Sequence, residues 1–220
     1  MVWWVVDAAR EAGADRIFVV VGHGEDDVRA ALSGADADIE YVVQEEQLGT
    51  GHATSCVEPV LGDFKGDVLV LAGDGPLIRA STIRAMRERH ASEGASGTLA
   101  TSVIEDPAGY GRVIRDASGR FAGIVEHANA TPAQRAIKEV YPSYACFVAG
   151  ALFAALRRVK PDHVSGEYYV TEVPMLMQEA GLKVELIEAV PPEDVLSINT
   201  PEQLDQVDAI LRARMETARR

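Results

Sequence analysis

Residues 67–77 read DVLVLAGDGPL, and the fold turns on this stretch. An uninterrupted apolar run closed by glycine and proline is the pattern of a strand covered on both faces, as in a parallel sheet. Asp74 then stands at the carboxyl end of that strand, where open α/β sheets bind ligands. Moving back along the chain, RIFVVV at 16–21 is a second run of the same kind, and 39–43 reads as a strand. Helices are predicted over 2–12, closed by Gly13, and over 25–32 and 51–61. Moving forward, an amphipathic helix over 81–93 with Ser81 as N-cap leads into a strand over 97–104. The alternation predicts a mostly parallel sheet with helices on both faces.

After residue 105 the rhythm changes. Strands over 112–116 and 120–125 flank a Ser118-Gly119 turn, which reads as a hairpin. A helical turn over 131–136 and a long strand-like run over 138–148 follow. Helices over 152–158 and 171–180, a strand over 183–188 and an amphipathic helix over 201–217 complete the chain. One α/β unit over 1–200, with a β-rich insertion at 106–150 and a terminal helix at 201–220 as a candidate connector, accounts for this order. The first helix opens with Trp3 and Trp4 and has no polar N-cap. Two large apolar groups there predict docking on a preceding strand, so the sequence reads as beginning one element late; the alternative is that they pack on later strands.

The 220 residues carry 21 Lys+Arg against 34 Asp+Glu, a net charge of −13. A nucleic-acid backbone is therefore not an expected partner, because its binding needs clustered cations. A single nucleotide remains compatible, since backbone N–H groups hold phosphates in an acidic protein. No apolar run reaches the length of a membrane span, and the opening MVWWVV is too short for a signal-peptide core. Two distant cysteines, Cys56 and Cys146, make no framework and suit a reducing compartment. A cytoplasmic location is expected.

Five motifs are candidates for chemistry. QEEQLGTGHA at 44–53 follows a strand and opens a helix, so its glycines let the backbone approach a flat ligand. Its alternative is a plain tight turn. Asp74 between two glycines is sited to hold a divalent metal with phosphate oxygens, or to make an Asx turn. GYGRV at 109–113 leads into the hairpin, which ends at IVEH, 124–127. GEYYVTE fills 166–172, and SINTP fills 197–201. In the last, Asn199 ends a strand just before a helix, and either it or Thr200 would cap that helix.

In this order and spacing the motifs resemble the uridyltransferase domain of bacterial N-acetylglucosamine-1-phosphate uridyltransferases, along essentially the whole chain. That family is usually bifunctional, and this is its N-terminal half. The resemblance implies a nucleotide-diphospho-sugar transferase fold, a Rossmann-like α/β domain with a sugar-binding β insertion. It implies that UTP and N-acetylglucosamine 1-phosphate give UDP-N-acetylglucosamine and pyrophosphate, with Mg²⁺ as cofactor. The product would serve peptidoglycan synthesis, and so cell-wall biogenesis and cell shape. By the same resemblance Gln44 would bond uracil, and Gly49 and Thr50 would close on the base and ribose. Asp74 and Asn199 would be the Mg²⁺ ligands. Gly111 would donate its backbone N–H to the sugar, and Glu126 would accept from a sugar hydroxyl.

The chain departs from the family pattern in places. Tyr141 stands where the family has an Asn that contacts the sugar, and Ala72 where it often has an aromatic or polar residue. The family's opening strand and Gly-rich loop, with their Arg and Lys, have no counterpart in the sequence, which matches the family from just after them. Little or no uridyltransferase activity is expected of the polypeptide as written, together with unpaired neighbouring strand edges. The alternatives are a non-catalytic sugar-nucleotide binder and a transferase for another sugar 1-phosphate.

Overall fold

The computed structural model describes residues 1–35 and 37–218. Residues 219 and 220 of the expected terminal segment lie outside the described residues. The first part of the chain comprises α1 (Val2–Glu11), β1 (Ile17–Val21), α2 (Glu25–Leu32), β2 (Ile39–Val43), α3 (Thr50–Ser55), α4 (Glu58–Leu61) and β3 (Asp67–Leu71). Then come α5 (Ala80–Glu93), β4 (Gly97–Val103), β5 (Gly111–Arg115), β6 (Phe121–Val125), α6 (Pro132–Arg135) and β7 (Glu139–Val148). α7 (Ala149–Leu156), α8 (Val173–Glu179), β8 (Val184–Glu188) and α9 (Pro201–Ala218) complete it.

Most elements fall where the sequence places them, with three local corrections. The helix expected over 51–61 is two helices, because Pro59 must sit in the first turn of a new one. The helix expected from 81 starts at Ala80 with Arg79 at its N-cap, so Ser81 lies inside the first turn and caps nothing. The expected strand over 67–72 is only half-buried from Val68 to Leu71 rather than covered on both faces.

The sheet is also mixed rather than mostly parallel. β1 and β2 pair in parallel as a two-stranded sheet, and six strands form a second sheet in the order β6-β5-β7-β4-β8, with β3 on β7. β4 and β8 are parallel. The pairs β3–β7, β4–β7, β5–β7 and β5–β6 are antiparallel. The cause is the long β7, which returns from the insertion and enters between β3 and β4, reversing the local direction. Among the described residues, β1 and β3 each have one edge without a strand partner.

Packing follows this division. One cluster, built on Leu99, Phe147, Leu152 and Met177, fills the α7–α8 side of the large sheet. A second, with Ile83, Met86, Ala100, Tyr144 and Cys146, lies under α5 on the other side. A third joins Val6 to Ile17, Val19, Val21 and Leu32. α1 serves both of the last two, since Val5, Ala8 and Ala12 face the α5 layer while Val6 faces β1. Trp3 packs on the third cluster and meets Trp4 edge-to-face at 4.8 Å.

Candidate functional site

Past the end of β3 the chain turns through Gly73-Asp74-Gly75 beside β7. The Tyr144 hydroxyl donates to the Gly75 carbonyl at 3.1 Å, and Ala72 N–H donates to Ser143 O at 3.2 Å. A Cβ on Gly75 would stand 2.1 Å from the Tyr144 hydroxyl, so only glycine fits there. β7 itself is irregular at this level. Ala100 pairs with Tyr144 and Ser102 with Val140, so Tyr141, Pro142 and Ser143 together oppose Thr101. This bulge accommodates Pro142, which has no N–H for a ladder. It also forces Ser143 to φ +62°, the only positive φ of a non-glycine among the described residues.

The second half of the site comes from the end of the chain. Ile198 N–H donates to the Asp74 carbonyl at 3.0 Å, which sets Asn199 beside the β3 tip. The cap ambiguity is resolved here. Gln203 N–H donates to Thr200 Oγ1 at 3.3 Å, and Thr200 N–H donates to Gln203 Oε1 at 3.0 Å. Thr200 therefore closes a capping box, and the Asn199 side chain is not spent on the helix. Asn199 Nδ2 donates to Ser197 Oγ at 3.3 Å, leaving Oδ1 without a partner among the described residues.

Asp74 and Asn199 line one cavity of about 280 Å³ with Gly111, Glu126 and Tyr141. Gly111 and Tyr141 are cross-strand partners on β5 and β7. Thr171 Oγ1 donates to Glu126 Oε1 at 2.8 Å, which fixes that carboxylate. Burial raises the Asp74 carboxyl above the usual aspartate value, and no other described side chain bonds it. Burial, with the Glu126 charge nearby, also pushes the Tyr141 phenol upward. The cavity thus has two carboxylates and a free amide carbonyl, and no Lys or Arg among the described residues lining it. Hard oxygen donors without a neutralising cation are the donor set that suits Mg²⁺. Arg112 of the GYGRV motif is not a lining cation. It is buried, donates to the Tyr110 carbonyl and faces His127 Nδ1 at 3.2 Å.

Gln44, Gly49 and Thr50 do not line this cavity; they form a loop next to it. The Gln44 amide nitrogen donates to Gly49 O at 3.1 Å and meets His52 Nδ1 at 2.9 Å, leaving its Oε1 unbonded among the described residues. Gly49 has φ +98°, and a Cβ there would come within 2.8 Å of Tyr168 O. The loop is zipped to the GEYYVTE segment: Tyr168 N–H donates to Leu48 O at 2.8 Å, Gly51 N–H to Tyr168 O at 2.7 Å, and Val170 N–H to Thr50 Oγ1 at 3.1 Å. Because Thr171 then reaches Glu126, this segment ties the glycine loop to the far wall of the cavity.

Several supporting residues escaped the sequence reading. The Tyr110 hydroxyl donates to Val195 O at 3.1 Å and accepts from Ser197 N–H at 3.4 Å, gripping the segment that carries Asn199. Asp194, fully buried, is held by Arg79 and by Arg214 of α9. Thr171 and Tyr110 lie inside motifs that the sequence already marked. Ser143 was detectable only through the proline in an otherwise continuous strand.

The chain is 42% identical over 217 residues to the bifunctional protein GlmU of Brevibacillus brevis, covering 99% of this chain and 46% of that protein. It is 44% identical over 215 residues to the bifunctional protein GlmU of Geobacter sulfurreducens, covering 98% and 45%. The chain thus spans about half the length of the curated relatives it matches. A crystal structure of UDP-glucose pyrophosphorylase complexed with UDP-glucose superposes with a TM-score of 0.69 at 16% identity, covering 96% of this chain and 86% of that one. That likeness establishes the shared mixed α/β architecture. The profile of the MobA-like NTP transferase domain matches residues 1–167, and the chain belongs to that family.

Proposed function

We propose that the chain is a nucleotidyltransferase domain of the type that makes UDP-N-acetylglucosamine and pyrophosphate from UTP and N-acetylglucosamine 1-phosphate, in the reducing cytoplasm. The observation that carries the reading is the meeting of Asp74 and Asn199, 125 positions apart in sequence (199 less 74), at one cavity through the Ile198–Asp74 hydrogen bond. The relatives named GlmU support it, as does the solved pyrophosphorylase fold with its UDP-sugar.

In this reading a phosphate oxygen of the sugar phosphate attacks the α-phosphorus of UTP. The bond from that phosphorus to the bridging oxygen breaks, and pyrophosphate leaves with the oxygen. No proton has to move, so the chain's task is to orient the reactants and balance charge. Mg²⁺, held by the Asp74 carboxylate and the Asn199 carbonyl, would neutralise phosphate oxygens. Glu126, fixed by Thr171, would accept from a sugar hydroxyl, and the Gly111 N–H would donate to the sugar. Tyr141 would bound the sugar end of the cavity. Gln44 Oε1, with Gly49 and Thr50, would take the uracil and ribose from the adjoining loop.

The test is calorimetric titration of UDP-N-acetylglucosamine with Mg²⁺ and with chelator, beside a pyrophosphate-release assay. Mg²⁺ is expected to strengthen binding, and Asp74→Ala or Asn199→Ala to abolish that increment. Mg²⁺-dependent binding that survives both substitutions removes the metal assignment. Tight UDP-sugar binding without pyrophosphate release favours a binding module over a transferase.

A further inference from the structure

A second group of ligand-type side chains lies at the opposite end of β3. Asp67 opens the strand, two residues before Leu69, and Leu69 is the cross-strand partner of Cys146 on β7. Cys146 is in turn the partner of Thr98 on β4. With side chains alternating along a strand, Asp67, Leu69, Cys146 and Thr98 share one face of the sheet. α5 covers that face and brings His90 onto it.

One ligand atom each from Asp67, His90 and Cys146 lies within 4.8 Å of the other two. Cys146 is fully buried and His90 is 3% exposed, while Asp67 opens the cluster to solvent. His90 Nδ1 bonds Thr98 Oγ1 at 3.0 Å. His90 Nε2 is buried with no hydrogen-bond partner among the described residues; it faces Asp67 Oδ1 at 3.5 Å without bonding it. A buried ring nitrogen gives up its water partners on folding, so an orphan aimed at a thiol and a carboxylate calls for a partner. In the tautomer that donates from Nδ1 to Thr98, Nε2 presents a lone pair to the cluster, and the threonine fixes the ring as an outer partner of a metal-bound histidine does.

We propose that Asp67, His90 and Cys146 bind one borderline-soft divalent cation of the Zn²⁺ type, with water as fourth ligand, at the end of the sheet remote from the nucleotide cavity. Mixed sulfur, nitrogen and oxygen donors at tetrahedral number suit that class and reject Mg²⁺. On binding, the ion sheds water, and the Cys146 thiol releases its proton to solvent and becomes the thiolate ligand. Burial and the Asp67 charge push that thiol up to about 12, whereas Arg87, whose guanidinium donates to Ala12 O at 2.7 Å, favours the thiolate. Binding is therefore expected to weaken as pH falls, one proton being released per ion.

The experiment titrates Co²⁺ into the full chain with Mg²⁺ in excess, so that the Asp74 cavity is not the reporter. One Co²⁺ per chain is expected, with a thiolate-to-cobalt charge-transfer band and proton release, reversed by Zn²⁺. Cys146→Ser should abolish the band, and Cys56→Ser should keep it. Asp67 is exposed, so Asp67→Asn keeps the fold and decides the matter if a core variant does not; it should weaken binding at least about tenfold. No thiolate band, a band that survives Cys146→Ser, or undiminished affinity in Asp67→Asn would overturn the site.

Discussion

The two ends of β3 each carry an aspartate, and they are built in opposite ways. At the carboxyl end, Asp74 sits on a glycine turn held in place by tethers from distant segments: Tyr144 to Gly75, Ile198 to Asp74, Tyr110 to Val195, and Arg79 and Arg214 to Asp194. At the amino end, Asp67 meets His90 and Cys146 through the packing of α5 on regular strand pairs. A site made of loops needs fastening by hydrogen bonds and ion pairs. A site made on a sheet face is positioned by the fold itself.

This contrast predicts which substitutions matter where. The largest effect is expected at the outermost tether. Asp194→Ala strips the buried partner from Arg79 and Arg214 and should cost about 3 kcal/mol, read by urea denaturation; an unchanged midpoint would mean the pocket end is packed like the other. Next, Tyr110→Phe removes one hydroxyl with two bonds. It should cost about 1 kcal/mol and weaken the Mg²⁺ increment in UDP-sugar binding, because the Asn199 segment loosens.

Asp74→Asn should act in the opposite direction. The raised carboxyl of Asp74 means that the folded chain holds a proton at pH values where the unfolded chain has lost it. That opposes folding increasingly as pH rises from the usual aspartate range through the raised value, and fully above it. Without metal, Asp74→Asn should therefore gain up to about 1 kcal/mol at neutral pH. The gain should vanish below the ordinary aspartate pKa, as thermal melts across pH would show. Smallest of all, Ser143→Gly should relieve the positive φ and stabilise by about 0.5 kcal/mol, the strain relief being partly offset by glycine's entropy. Across the molecule, His90→Gln should leave UDP-sugar affinity unchanged; a change would mean that the two ends are coupled.

The same contrast explains what the sequence disclosed. Asp74, Gly111, Glu126 and Asn199 were readable because each sits in a short motif where glycine or proline punctuates the chain, although Asn199 lies in an irregular segment before α9 and not at the strand end the sequence predicts. Their convergence on one cavity follows from the fold those motifs imply. The β7 reversal was not readable, because a strand's direction depends on which gap it enters and not on its own apolar pattern. The split after Ser55 is marked in the sequence by Pro59. Asp67, His90 and Cys146 gave no local signal, since 23 and then 56 positions separate them in sequence (90 less 67, and 146 less 90) and only strand register brings them together. Tyr141, at the position of the family's sugar-contacting Asn, is a pocket-lining residue that is also packed into the core, so its position reflects the bulge as much as the cavity.

The double duty of α1 has a consequence for how the molecule comes apart. Among the described residues the β1–β2 layer shares no backbone ladder with the larger sheet, and its small apolar cluster reaches the rest largely through one helix turned two ways. Such a unit opens more cheaply than the whole. Amide exchange should therefore advance through Phe18–Val21 while β4 and β7 are still protected, and the glycine loop that follows β2 should inherit that looseness each time the layer lifts.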